Sequence, residues 1–304
     1  MLVALVSPAQ AGAQSWDPGL RRDDGARGKG ADWYLQVDND VFFHTDRWYT
    51  SGVRIARVNN DVEWGVTQEI FTPDVQHSPP GTHDRAPTAR LLATVDQHFR
   101  GQFAYQTVGL ALGIRGPSAL GEQTQDFVHR HFTSTGANVD WTNQMPDEYD
   151  ASVVWTRTQR SDRGSPFGEG LKLHFGTVLG NQQLFGHLGA EYRIGDDTAR
   201  GLSSRLLRFA PTPPLTDGGE RAIGWSAFAG ASVRGVARNE LIGQPYVEGQ
   251  PDVVAKKAVG RFVVGATYGG HWGSVELNLA ADTPEFQGQH TAQRFGSLTL
   301  HFSF

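Results

Sequence analysis

Along most of its length the chain alternates apolar and polar residues one by one. This period of two is the signature of strands with one apolar face, and it constrains the fold more than any other feature. It is clearest in Arg294–Phe304, where Leu298, Leu300, Phe302 and Phe304 share one face and Ser297, Thr299, His301 and Ser303 the other. Val275, Leu277, Leu279 and Ala281 likewise oppose Ser274, Glu276 and Asn278. Leu184, Leu188, Ala190, Tyr192 and Ile194 oppose His187, Glu191 and Arg193, and Ile223 to Val233 carries another long stripe.

Twelve segments follow this pattern, at 31–43, 49–58, 63–71, 89–100, 102–114, 150–161, 168–180, 183–195, 222–236, 258–269, 272–282 and 293–304. Asn59-Asn60-Asp61, Arg100-Gly101, Gly180-Asn181 and Gly269-Gly270 supply tight-turn chemistry between neighbours. A dozen antiparallel strands fit either a soluble sandwich or a membrane barrel. Strand length separates the two, because spanning a bilayer takes about 9–11 residues whereas ordinary strands average about 5–6. These segments are long, and their polar faces hold His, Glu, Lys and Arg, as a lumen does. Trp33, Trp48, Tyr49, Trp272 and Phe304 fall at strand ends, where interfacial aromatics belong. The expected fold is therefore all-β, a closed antiparallel twelve-stranded transmembrane β-barrel in a bacterial outer membrane, with residues 31–304 as one domain.

Composition fits once the pattern is known. Hydrophobic residues are only 38% of the chain because alternate positions alone face lipid. The 37 glycines and 11% aromatics suit barrel packing and girdles. The absence of cysteine excludes a disulfide scaffold or thiolate metal site, and a net charge of -5 argues against nucleic-acid binding through bulk electrostatics. At the N-terminus, Leu2–Val6 followed by Ala11-Gly12-Ala13 reads as the remnant of a signal peptide, and 15–30 as a Gly- and charge-rich disordered segment.

If both termini are periplasmic, the long connections at 72–88, 115–149 and 237–257 fall outside. The connection at 196–221 is the exception: parity makes it periplasmic, yet it is long. Inside the third outer loop, 118–132 is expected to be a short helix with Ser118 as its N-cap. Leu120, Thr124, Phe127 and His131 would form one stripe, with Gln125 and His129 paired at i, i+4 on the opposite face. A histidine there is a candidate general base. The hairpin Val37–Gly52 concentrates Asp38, Asn39, Asp40, Thr45, Asp46 and Thr50, oxygen donors suited to a hard cation, although Asp and Asn are also ordinary turn formers.

Four motifs in order, NDVFFHTDRWYTSG, GPSALGEQTQDFVH, WTNQMPDE and EFQGQHTAQRFGSLTLHFSF, resemble the outer-membrane lipid A 3′-O-deacylases of the LpxR family, over essentially the whole chain from residue 31. The resemblance implies a twelve-stranded barrel and Ca²⁺-dependent hydrolysis of the 3′-linked acyloxyacyl group of lipid A in lipopolysaccharide. It implies catalytic roles for Asn39, Asp40, Thr50, Gln125 and His129, with Tyr49 beside Thr50. It also implies metal ligation by Asp40 and, through a looser match over Gln144 and Glu148, by Glu148. In the expected mechanism His129 deprotonates water and Ca²⁺ near Asp40 stabilises the oxyanion, a scheme closer to phospholipase A2 than to a serine hydrolase. Strict alternation places Asn39 and Asp40 on opposite faces, which calls for a bulge at the strand end or a site straddling the rim. The family's Asp-Arg-Pro-Tyr-Ala-Gly run is here Asp84-Arg85-Ala86-Pro87-Thr88-Ala89, so the shape of the substrate pocket is expected to differ.

Arg47, Arg85, Arg115, Arg130, Lys256 and Lys257 lie near the outer loops and could meet lipid A phosphates or merely water. A monomer is expected. The alternatives are a phospholipase A-like barrel with a serine nucleophile and a non-enzymatic porin-like barrel.

Overall fold

The computed structural model describes residues 31–59, 61–75, 83–101, 103–131, 139–161, 170–196, 206–208 and 223–303. The N-terminal segment read as a signal remnant, and Phe304, lie outside the described residues. Twelve strands form: β1 (Asp32–Asn39), β2 (Trp48–Asn59), β3 (Val62–Thr72), β4 (Thr88–Arg100), β5 (Ala104–Arg115), β6 (Glu148–Arg160), β7 (Leu171–Gly180), β8 (Gln183–Gly195), β9 (Gly224–Asn239), β10 (Ala258–Gly270), β11 (Gly273–Asp282) and β12 (Gln293–Ser303). Each pairs antiparallel with its sequence neighbours. β1 and β12 close the ring, from Asp32 opposite Ser303 to Asn39 opposite Gly296. Among the described residues no helix is long and apolar enough to cross a membrane.

The faces fall where the alternation places them. Leu110, Leu112, Leu188, Val233, Phe262, Val264 and Leu277 point out and are exposed, while Glu63, Glu69, Lys172, Glu191, Arg193 and Glu276 point in and are buried. Inside, charges meet charges: Arg54 lies 2.6 Å from Glu63, Arg261 2.7 Å from Asp282, and Arg193 3.1 Å from Glu191. Such pairing is what permits ions to be buried at all. A lumen packed in this way does not resemble a porin's water-filled channel.

Trp33, Trp64, Tyr192, Trp225, Tyr268, Trp272 and Phe302 are exposed together at the end carrying the even-numbered turns, the expected periplasmic end, and form a girdle there. Trp48 and Tyr49 do not join it. They lie at the other end and are 1% and 0% exposed. Trp48, at φ 59°, packs with Ile242, Val253 and Phe286. Strand β2 carries a bulge in which Tyr49 pairs with Phe71 and Ser51 with Ile70, leaving Thr50 as the extra residue. The bulge reverses the alternation and turns Tyr49 inward.

The long 196–221 connection also finds its explanation. Its described residues, 206–208, stand inside the barrel. Leu206 packs with Tyr49, Phe71, Phe228, Leu241 and Phe295. Arg208 reaches Asp282 and Glu285 at 2.7 and 2.8 Å, at the outer end. Three residues of a connection between strand ends at the even-numbered side thus stand in the lumen near its other end.

The apolar exterior generates the first test. Leu110, midway along β5 and 52% exposed, faces lipid. Leu110→Arg should lower unfolding free energy in phospholipid vesicles by about 2–4 kcal/mol, the cost of a cation near the bilayer midplane. Urea titration of both proteins measures it.

Candidate active site at the outer rim

At the tip of the first hairpin, β1 stops at Asn39 and Asp40–Phe43 wind into a 3-10 turn. Strand had been expected as far as residue 43. It ends early because the Asn39 side chain caps the turn, its Oδ1 accepting the Val41 N–H at 2.7 Å. His44 then takes a left-handed conformation, φ 56°, to close it. The turn resolves the alternation conflict, since Asn39 remains on the outer wall while Asp40 folds back and is buried. Asp40 Oδ2 accepts the Arg47 N–H at 2.9 Å and the Thr45 hydroxyl at 3.1 Å, so this carboxylate organises the loop. Burial pushes the Asp40 carboxyl well above the usual carboxylate range, and the nearby charge of Asp46 pushes the same way.

The outer-loop helix, α1 (Gly121–His131), begins three residues later than expected. Pro117–Ala119 form a separate 3-10 turn, and the Ser118 hydroxyl bonds Asp147 at 2.6 Å rather than capping α1. Leu120, at φ 62°, breaks the chain between turn and helix. Residue 132, included in the expected helix, lies outside the described residues. Glu122 in the first turn and His129, Arg130 and His131 in the last suit the helix dipole. The helix is seated by close contact: a Cβ on Gly121 would stand 2.5 Å from Ala89 Cβ. Ile70, Ala89, Ala119, Val139 and Trp141 form the apolar bed. Its inward face is the polar one, with Gln125 buried, while Leu120 and Phe127 are exposed.

Hairpin tip and helix enclose a cavity of about 270 Å³. Asn39, Asp40, Thr50, Gln125 and His129, the five expected catalytic residues, all line it. Ser51 and Asn39 come from the outer wall of the barrel, and Val41, Ile70 and Val128 add apolar surface. Val41 and Phe42 are exposed beside it, and the Phe42 ring lies against Gly296 of β12, where a Cβ would come within 2.5 Å. The cavity therefore sits at the rim, against the outer wall of the barrel.

Asp46 was read only as part of an oxygen-rich cluster, and the structure makes it central. Its Oδ2 lies 3.3 Å from His129 Nε2, and its Oδ1 accepts from Gln125 Nε2 at 3.2 Å. Gln125 Oε1 accepts in turn from Trp141 Nε1 at 3.1 Å. Gln125 thus holds Asp46, and Asp46 holds the imidazole. Thr50 shares a 2.6 Å hydrogen bond with Thr72.

Glu148 is not brought to Asp40. It begins β6, on the other side of the ring from β1, is 53% exposed at its side chain, and pairs with Arg115. Gln144 also lies off the cavity, its N–H donated to the Trp141 carbonyl. No residue of the 84–89 run lines the cavity, and the run acts on it only through Ala89, which seats α1. It ties outer loops together, with Ala86 N–H to Gln244, Tyr246 N–H to Asp84 and Met145 N–H to Pro87. Among the basic residues, Arg47 pairs with Asp74, Arg85 is buried over Phe71, and exposed Arg130 meets Asp126. Among the described residues no three His, Cys, Asp or Glu gather as a metal cluster.

A family model described as Outer membrane protein LpxR matches residues 1–304. Among solved structures, LpxR from Salmonella typhimurium matches with a TM-score of 0.72 at 20% identity, covering 90% of this chain and 100% of that one. This likeness shows the same barrel fold. The β domain of the Bordetella autotransporter BrkA matches at a TM-score of 0.43 and 11% identity over 91% of this chain and 100% of that one, too distant to carry an argument. No curated protein matches the chain significantly.

The buried carboxyl of Asp40 generates a pH-dependent test. Its folded-state pKa lies above the unfolded one, so its neutral form is favoured by folding. That contribution is full below pH 3.8 and is lost as pH rises through the raised value. In chelator at pH 7, Asp40→Asn should therefore raise unfolding free energy by about 1 kcal/mol. The gain should vanish at acid pH, as read by denaturant titration at both pH values.

Proposed function

The chain belongs to the LpxR family of outer-membrane proteins, which supports lipid A deacylation as its activity, and from that premise we propose that it hydrolyses the 3′-linked acyloxyacyl ester of lipid A. The observation that carries the reading is the Asp46–His129 pair at the head of a cavity against the outer wall. A substrate whose acyl chains stay in the outer leaflet can offer its ester there without leaving the membrane.

The chemistry follows from the residues. With Nε2 of His129 directed at Asp46, Nδ1 is left as the acceptor that takes a proton from water. The water oxygen attacks the ester carbonyl, and the proton passes back to the departing sugar oxygen. Asp46 stabilises the imidazolium formed in between, and Gln125 and Trp141 fix Asp46. Asn39 and Thr50 flank the cavity as polar groups able to orient the ester. Val41, Ile70 and Val128 exclude bulk water and meet acyl chain.

The donor chemistry fits Ca²⁺. Beside the His44 imidazole, the tip offers oxygens from Asp40, Asn39, Thr45, Thr50 and Ser51, around a carboxylate whose burial disfavours an uncompensated charge. Asp40 would hold the ion, with further oxygens from its own loop in place of Glu148. When bound, the ion supplies Lewis-acid stabilisation of the oxyanion. A serine esterase also holds its imidazole with an acid but needs a serine hydroxyl hydrogen-bonded to that ring, and among the described residues His129 bonds only Asp46.

Mass spectrometry of lipid A from cells expressing each protein tests this. Wild type should remove the 3′ chains, and His129→Ala should reduce the rate by about 10²–10⁴-fold. Chelator should abolish the wild-type reaction. Unchanged lipid A in every sample would refute the reading.

A further inference from the structure

The bulge at Thr50 connects two compartments. On its lipid side Ser51 lines the rim cavity, and on its lumen side Tyr49 is fully buried. Tyr49 packs its ring against Phe71 and Phe295, at centroid distances of 5.5 and 4.9 Å, and is tied by polar contacts as well. Its hydroxyl donates to Asp38 Oδ2 at 3.0 Å, its carbonyl accepts from Gln293 Nε2 at 3.0 Å, and the Arg208 guanidinium lies 4.3 Å from its ring centroid. Asp38 immediately precedes the Asn39–Asp40 step, and Thr50 immediately follows Tyr49. Whatever sets the Tyr49 ring therefore sets both strands of the hairpin tip.

Arg208 is unusual in origin. It belongs to the connection between β8 and β9, which leaves the barrel at the end opposite the site. Its guanidinium nevertheless sits at the outer end, bridging Asp282 at the end of β11 and Glu285 in the loop beyond. It also lies over Phe295 at 5.8 Å. Two residues earlier, Leu206 packs with Tyr49 and Phe295, and its carbonyl accepts from the Ser232 hydroxyl at 3.3 Å. The electrostatic need is already met, because Asp282 has Arg261 at 2.7 Å and Glu285 has Arg234 at 2.8 Å. What Arg208 adds is a planar cation stacked on an aromatic ring, a geometry lysine cannot reproduce.

We infer that Arg208 is a positioning residue for the rim site: standing inside the barrel on the connection between β8 and β9, it sets the Thr50 bulge and the Asn39–Asp40 turn by fixing Tyr49. The inference rests on the hydrolytic reading of the site for its effect on rate, but not for the placement of the hairpin. A rigid inner brace suits a site on the barrel's outer edge, where a displacement of about 1 Å can cost roughly a hundredfold in rate.

The test compares Arg208→Lys, Tyr49→Phe and the double variant, as full-length protein folded into lipid A vesicles with Ca²⁺. Arg208→Lys keeps the charge and loses the stacking, and Tyr49→Phe keeps the ring and loses the Asp38 bond. Heat-modifiable gel mobility confirms that each barrel is folded, and Arg208→Gln replaces any variant that is not. Arg238→Ala, on an exposed pair with Glu240, serves as control. Each single variant should lower kcat by roughly tenfold or more at unchanged KM. The double variant should lose no more than the worse single one, because both act through one ring. Full activity in Arg208→Lys, or losses that multiply in the double variant, overturns the inference.

A second readout does not use activity. The chain has no cysteine, so Ser51→Cys gives a single thiol on the cavity wall. Its maleimide labelling rate should change severalfold when Arg208→Lys is added, and an unchanged rate overturns the inference. Were wild type to release no fatty acid, the hydrolytic reading would fail, and the labelling comparison would still decide the brace.

Discussion

Every backbone polar group that enters hydrocarbon must be hydrogen-bonded within the protein, and the rest of this structure follows from that requirement. Twelve strands satisfy it only because the ladder between β1 and β12 closes the ring. Closure divides each strand into a lipid face and a lumen face, so roughly half of the spanning side chains are free to be polar. That freedom carries a cost, since charges confined to a narrow lumen need partners. Arg54 with Glu63 and Asp96, and Arg261 with Asp282, show how the interior meets it. Residues 206–208 add an apolar side chain and a paired cation to that interior.

The requirement relaxes at the outer rim, and the chemistry gathers there. Beyond Asn39 the backbone leaves the ladder for a 3-10 turn, and beyond Thr50 it recovers register after a bulge. Both irregularities aim polar side chains at a point that regular pleating would leave on opposite faces. Helix α1 closes the space from above, held against Ala89 by the absence of a side chain at Gly121. The resulting cavity has a hydrogen-bonded polar floor and an apolar lip. A lipid ester needs both, because its carbonyl must be polarised while its chains remain in the leaflet.

Much of this was legible in the sequence because a period of two has only one structural meaning over ten residues. Leu298, Leu300 and Phe302 could face only one way once Ser297, Thr299 and His301 faced the other. Placing Gln125 and His129 together likewise needed only helical spacing. Relationships set by tertiary approach were not legible. Asp46 looks like any turn aspartate until α1 folds over the hairpin and brings His129 to 3.3 Å. The inward turn of Tyr49 depends on a single extra residue at Thr50, which alternation alone cannot register. Glu148 sits near the other motifs in chain order, but its strand lies across the ring from β1, where Arg115 takes up its charge. The excess length of 196–221 was visible as an anomaly, and its destination was not.

The central claim is that water held by His129 cleaves the acyl–oxygen bond of a lipid ester at the rim. Reaction of the purified protein with lipid A in ¹⁸O-enriched water tests it most directly. The account predicts one ¹⁸O atom in the carboxylate of each released fatty acid and none in the sugar hydroxyl left behind. Acyl chains transferred unlabelled to another lipid, or label appearing on the sugar, would contradict it.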